Sequence, residues 1–222
     1  MEHAEVVRAR RMVRAYEPDR PVDDATLTRL LRQATRAPSA GFSQGWDFVV
    51  LRGEALERFW ACTTDPGAAP DSWLRGMRTA PLLVLCVSDP ARYVGRYAEP
   101  DKAGPAAPPG SSGRGAAAAA WPVPYWDVDT GMAALLLLLG AVDEGLGGCF
   151  FGVPDHRHDS VREAFDIPAG RRLVGVVSIG HPAPDRPSPS LRRGRRPLTD
   201  VVHEGRFGRP LRTPGPTPAE AG

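Results

Sequence analysis

Residues 125–152 read YWDVDTGMAALLLLLGAVDEGLGGCFFG, and this stretch decides the fold. From Tyr125 to Glu144 the pattern predicts a helix whose middle, Met132 to Leu139, is apolar on every face. Such a helix has to be buried on all sides. It is either the central helix of a monomer or a helix that continues the core across a homodimer interface. The apolar run is shorter than the ~20 residues of a membrane-spanning helix, and Asp127, Asp129, Asp143 and Glu144 flank it. Gly145 is a natural closing residue for the helix, and Gly147 to Val153 then predicts a strand. Glycines between a helix and a strand reverse the strand-then-helix order that a dinucleotide fingerprint requires.

Outward from this core, alternating helices and strands point to one α/β domain of mixed order spanning residues 1–222. A short helix is predicted over residues 3–9. Asp23 or Asp24 can cap a second, with Leu27, Leu30, Leu31 and Ala34 on one face. Trp46 to Leu51 and Leu82 to Val87 read as buried strands, and Leu173 to Ile179 as a fourth strand after a helical stretch at 155–165. Between the first two strands, a helix opens at Gly53 and a shorter one is predicted at 73–79. Residues 91–124 are dominated by Pro, Gly, Ala and Ser, which predicts a long, flexible insertion or lid. From Arg186 to the end an extended basic tail is expected.

Composition narrows the function classes. The 222 residues are 42% hydrophobic and 24% charged, with a net charge of +2, which fits a globular chain and implies neither a nucleic-acid nor a membrane surface. Cys62, Cys86 and Cys149 are widely spaced and odd in number, so a disulfide framework and a cysteine-rich zinc site are not expected. The polar start Met1-Glu2-His3-Ala4-Glu5 lacks the apolar run of an export signal, so a cytoplasmic location is the expectation. His156-Arg157-His158-Asp159 is the only histidine-dense stretch and reads as a polar helix start, with no metal expected.

Three further segments could carry chemistry. Arg10, Arg11 and Arg14, and Arg192, Arg193, Arg195 and Arg196, present planar forks matched to phosphate oxygens, or are solvated charged patches. Ala37-Pro38-Ser39-Ala40-Gly41-Phe42-Ser43-Gln44-Gly45-Trp46 joins a helix to a strand through small residues that let backbone approach a flat ligand; alone it is a turn.

Taken together and in this order, the segments resemble the FMN-dependent nitroreductase family. Arg10-Arg11-Met12-Val13-Arg14-Ala15-Tyr16 is similar to its opening R-R-S-x-R-x-F/Y run, Ala37–Trp46 to its A-P-S-x-x-N-x-Q-P-W run, and Arg193-Gly194-Arg195 to its closing basic K/R-x-R. The long apolar helix ending in Gly-Leu-Gly completes the set. The resemblance implies an α+β fold, a mixed sheet flanked by helices with the apolar helix at a homodimer interface, and FMN shared between subunits. It places Arg10, Arg11, Met12 and Arg14 at the phosphate and ribityl chain, with Arg193 and Arg195 also at the phosphate. Pro38, Ser39 and Ala40 of the partner would lie against the ring system, and Gln44 near it. Phe150, Phe151 and Gly152 end the strand beside the flavin, the N–H of Phe151 or Gly152 facing its N5/O4 edge. Three departures stand out: Met12 for serine, Phe42 for asparagine and Gly45 for proline. Phe42, Trp121 and Tyr125 are the expected substrate-side wall, although Trp121 and Tyr125 could equally serve only to pack the insertion down.

The implied activity is NADH- or NADPH-driven reduction of a planar electron-poor small molecule such as a nitroaromatic or quinone. No side chain need act as acid or base, because the flavin carries the chemistry. Two alternatives stand beside it. One is a specialised flavoenzyme of the same superfamily: a dehydrogenase on a biosynthetic intermediate, a reductive dehalogenase or a flavin-consuming enzyme. The other is a non-catalytic anionic-partner binder, suggested by eight arginines between Asp185 and Arg212.

Overall fold

The computed structural model describes residues 1–65, 67, 69–102, 118, 121–185 and 188–211. The chain divides into two compact units, Met1–Asp185 and Arg186–Gly222. In the first unit four strands form one sheet: β1 (Trp46–Leu51), β2 (Leu82–Ser88), β3 (Gly147–Phe151) and β4 (Arg172–Gly180), in the order β1-β2-β4-β3. All four pair antiparallel. The mixed character comes from the N-terminal segment, where Met12 makes a parallel bridge to Gly148 on the outer edge of β3.

The sheet is covered on both faces, which is why β2 and β4 read as continuous apolar runs. Along β2, Leu82, Val84 and Cys86 pack beneath α2 (Asp24–Ala34) and α6 (Tyr125–Asp143), together with Leu30, Leu137 and Ala141. The alternate residues Leu83, Leu85 and Val87 face the other way, toward Phe59 and Trp60 of α3 (Glu54–Thr63), Met77 of α4 (Ser72–Met77) and Val161 of α7 (His158–Ala164). The helix α1 (His3–Ala9) precedes the arginine run. These elements lie where the sequence patterns put them, with end shifts of one or two residues; the third strand ends at Phe151 rather than Val153.

One expectation needs correction. Residues 91–98 are not loop: α5 (Pro90–Ala98) is a helix whose first turn is capped by Asp89, Oδ1 accepting from Ala91 N–H at 3.0 Å, with Pro90 at the helix start. The rest of the expected insertion, 103–117 and 119–120, lies outside the described residues. Its own chain does not bury α6 on every side, which leaves the choice between central helix and interface helix where the sequence left it. Ala133, Ala134, Leu137, Leu138 and Ala141 are buried, but Val128 is 45% and Leu135 46% exposed. With its ends included, α6 has 19 residues and is long and apolar enough to cross a membrane; half of it is buried by its own chain, as core helices are.

Within the second unit the backbone is not uniformly extended. Pro189–Arg193 forms a 3-10 turn, Leu198–Val201 a single-turn helix α8, and His203 bridges Pro210 with the Phe207 ring 4.4 Å from its own.

Candidate functional site

The arginine run is held in place by its backbone. Val13 N–H donates to Gly148 O at 3.0 Å, and Ala183 N–H to Ala15 O at 3.0 Å. The Tyr16 hydroxyl, buried in the core, donates to Val13 O at 2.7 Å and shares a 2.7 Å hydrogen bond with Ser178 Oγ. Burial is the main cause that drives the Tyr16 phenol far above its ordinary range, so it stays a neutral donor. Arg14 N–H donates to Asp185 Oδ2 at 2.9 Å. Gly76 of α4 lies so close that a Cβ there would come within 2.1 Å of Arg14 O. The run is thus wedged between β3, β4 and α4.

Of its side chains, Arg14 Nη1 donates to Met12 O at 3.3 Å. Among the described residues, Arg10, Arg11 and Arg14 form no salt bridge, and Arg10 Nη1 is buried with no hydrogen-bond partner. A buried guanidinium donor is costly unless something accepts from it. Met12, where a hydroxyl is usual in the family resembled, instead packs its side chain against both halves of the core.

The same sheet edge carries the second part of the site. Because Gly148 O points outward to Val13, strand alternation sends the N–H groups of Phe150 and Gly152 outward too and turns Phe151 toward β4. Of the two candidate N–H donors, Gly152 is therefore the available one; among the described residues nothing accepts from it. A Cβ at Gly152 would have nothing within 4 Å, so the space beside it is open. Next to it lies a cavity of about 420 Å³ lined by Trp60, Trp73, Leu74, Arg78, Phe151 and Gly152, among others. Trp60 stacks on Phe151 (centroids 5.9 Å apart, planes 11°), and Trp73 meets Phe151 edge-on at 5.5 Å. Trp60 and Trp73 were not among the residues expected here; their separation from β3 in sequence leaves no spacing signal.

The third part is the turn before β1. Gly41 (φ 62°), Phe42 (φ 57°) and Gln44 (φ 48°) are all left-handed. Phe42 is 75% exposed, and Pro38 and Gln44 are also exposed. Ser39 Oγ accepts from Gln44 N–H at 3.0 Å. Ala40 N–H donates to Asp129 Oδ2 at 2.8 Å. Gly45 has a steric reason to replace proline: a Cβ there would come within 2.4 Å of the Tyr93 ring. Trp121 and Tyr125 belong to this end of the molecule. Trp121 meets Tyr97 edge-on at 4.9 Å, Trp126 at 5.9 Å and Tyr125 at 6.1 Å, and Tyr97 packs over Gly41. The turn, Trp121 and Tyr125 are thus brought together, while no hydrogen bond among the described residues joins them to the arginine run. Arg193 and Arg195 lie in the second unit, exposed, at the end of its 3-10 turn and just after it.

A model of the nitroreductase family matches residues 7–181. A 5,6-dimethylbenzimidazole synthase of Rhodospirillum rubrum is 32% identical, over 85% of this chain and 87% of that protein. A protein of Archaeoglobus fulgidus provisionally named an NADH dehydrogenase/NAD(P)H nitroreductase is 27% identical, over 82% and 86%. Among solved structures, a provisionally named nitroreductase of Desulfovibrio desulfuricans in complex with FMN superposes with a TM-score of 0.66 at 22% identity, covering 93% of this chain and 98% of that one.

Proposed function

The chain belongs to the nitroreductase family, and on that premise we propose that it is an FMN-dependent oxidoreductase that takes electrons from NADH or NADPH and passes them to a planar, electron-poor small molecule. The carrying observation is one sheet edge flanked by Arg10, whose buried Nη1 has no hydrogen-bond partner among the described residues, and by the Gly152 N–H, for which the described residues offer no acceptor either. These residues fit the group: Arg10, Arg11 and Arg14 would hold the phosphate, and Gly152 N–H would face the N5/O4 edge. Bound FMN supplies hydride and electron transfer at its ring system. The chain supplies placement. A fixed N–H beside a site that gains negative charge lowers the cost of that charge without reorganising. Trp60, Trp73 and Phe151 give the cavity an aromatic wall, and the exposed Phe42 ring offers a face for stacking. The exposed Val128 and Leu135 on α6 support a homodimer in which the Pro38–Gln44 turn of one protomer covers the flavin of its partner.

The test is a visible spectrum of the purified protein followed by anaerobic addition of each nucleotide. A flavin band bleached by NADH or NADPH is the expected result; a protein that takes up no FMN on reconstitution overturns the reading. Arg10→Ala should weaken FMN binding by about 1.5–3 kcal/mol, roughly 10- to 150-fold, read by flavin fluorescence titration. A second reading is favoured by the 32% identity to a 5,6-dimethylbenzimidazole synthase: a dedicated biosynthetic flavoenzyme. A flavin-loaded protein that does not turn over with quinone or nitrofuran but yields 5,6-dimethylbenzimidazole would select it.

A further inference from the structure

The Ser39–Gln44 turn carries two non-glycine residues with left-handed φ, Phe42 and Gln44. Such conformations persist only where the surroundings over-determine them. Five contacts do so here. Phe42 N–H donates to Ser39 O at 2.9 Å, Gln44 N–H to Ser39 Oγ at 3.0 Å and Ser43 Oγ to Ala40 O at 2.7 Å. From outside the turn, Arg96 Nε donates to Gly41 O at 2.9 Å and Asp129 accepts from Ala40 N–H at 2.8 Å. Asp129 differs from the others in being a carboxylate only 2% exposed, in the second turn of α6 just ahead of its apolar run. Among the described residues it forms no salt bridge; its Oδ2 is met instead by Ala40 N–H and by the Tyr93 hydroxyl at 2.7 Å. A carboxylate buried without a cation is unfavourable unless donors meet it. An alanine or leucine would suit the packing of α6 better, so the carboxylate is there for its two donors.

We propose that Asp129 is the positioning residue that locks the Ser39–Gln44 turn in its left-handed form and so holds the Phe42 ring out as the platform on which a planar aromatic substrate stacks. Tyr93 orients the carboxylate, and its ring fills the space that Gly45 leaves open. The turn, α5 and α6 are thereby joined at one atom. The substrate role rests on the flavoenzyme reading above; the locking of the turn does not.

Asp129→Asn and Tyr93→Phe in the FMN-loaded protein test both parts. In Asp129→Asn, amide exchange of residues 39–44 should speed about tenfold while the β2 and β4 amides keep their rates. The KM for benzoquinone should rise about fivefold with kcat within about twofold and the flavin band unchanged. Tyr93→Phe, which removes one donor and keeps the ring, should move the same readouts in the same direction by a smaller factor, and it decides the matter if Asp129→Asn does not fold. Unchanged exchange at 39–44, or acceleration spread equally over β2 and β4, overturns the locking role. Faster exchange at 39–44 with an unchanged KM overturns the platform. Wild-type protein without flavin defeats the functional reading, while the exchange experiment still decides the lock.

Discussion

Phe42 is held at φ 57° although it is not glycine, and three-quarters of it lies in solvent. A left-handed conformation costs an L-residue roughly 1–2 kcal/mol, and an exposed ring recovers little of that by burial. Phe42→Gly should therefore raise stability by about 1 kcal/mol in urea titration while raising the KM for an aromatic acceptor. A variant that is less stable than wild type would show that the ring packs more than its exposure indicates. The strain was invisible in the sequence, where Phe42 stood out only as the wrong residue type. Gly45 was visible in the same way, as an absent proline, and its cause, the Tyr93 ring, lies 48 positions along the chain in an element the composition had hidden.

At the scale of elements, period and punctuation located most of the fold. The strands came from apolar runs, and α2 from its cap and single apolar face. The helix α5 is hidden by composition, because Pro, Gly, Ala and Ser dominate 91–124 as a whole; Asp89-Pro90, a cap followed by proline at the helix start, is the local signal for it. In α6 no face can be read from the pattern, since every face is apolar, and only packing separates the buried Leu137 and Ala141 from the exposed Val128 and Leu135. That exposed stripe is the proposed dimer contact. Leu135→Arg should shift sedimentation equilibrium toward monomer with the helical circular dichroism retained, and flavin occupancy should fall with it. A dimer as tight as wild type would place the contact elsewhere. The site was legible wherever a residue acts through its own chemistry, as the arginines do. It was not legible where a residue acts through a distant partner, as Asp129 does with Ala40.

Across the whole molecule, burial also shapes the response to pH. The Cys86 thiol, buried in the sheet, is pushed up to about 12 by loss of hydration. Tyr16 is raised by burial as well. Above about pH 8.5 the unfolded chain sheds the Cys86 proton while the folded one keeps it, so the folded state binds more protons and stability falls as pH rises. The loss should approach 1.4 kcal/mol per pH unit from this thiol alone, roughly, between about 8.5 and about 12. Urea midpoints measured across that window should decline, and Cys86→Ala should make the decline shallower whatever it does to the absolute level; equal slopes would contradict the assignment. The pairing of Val13 with Gly148 has a consequence of another kind. During synthesis the arginine run leaves the ribosome well before the strand that seats it, which follows more than a hundred residues later, and β4, which backs that strand, emerges later still. The proposed cofactor therefore has no finished phosphate cradle to enter until nearly all of this unit has been translated, and flavin loading waits on the unit's last strands.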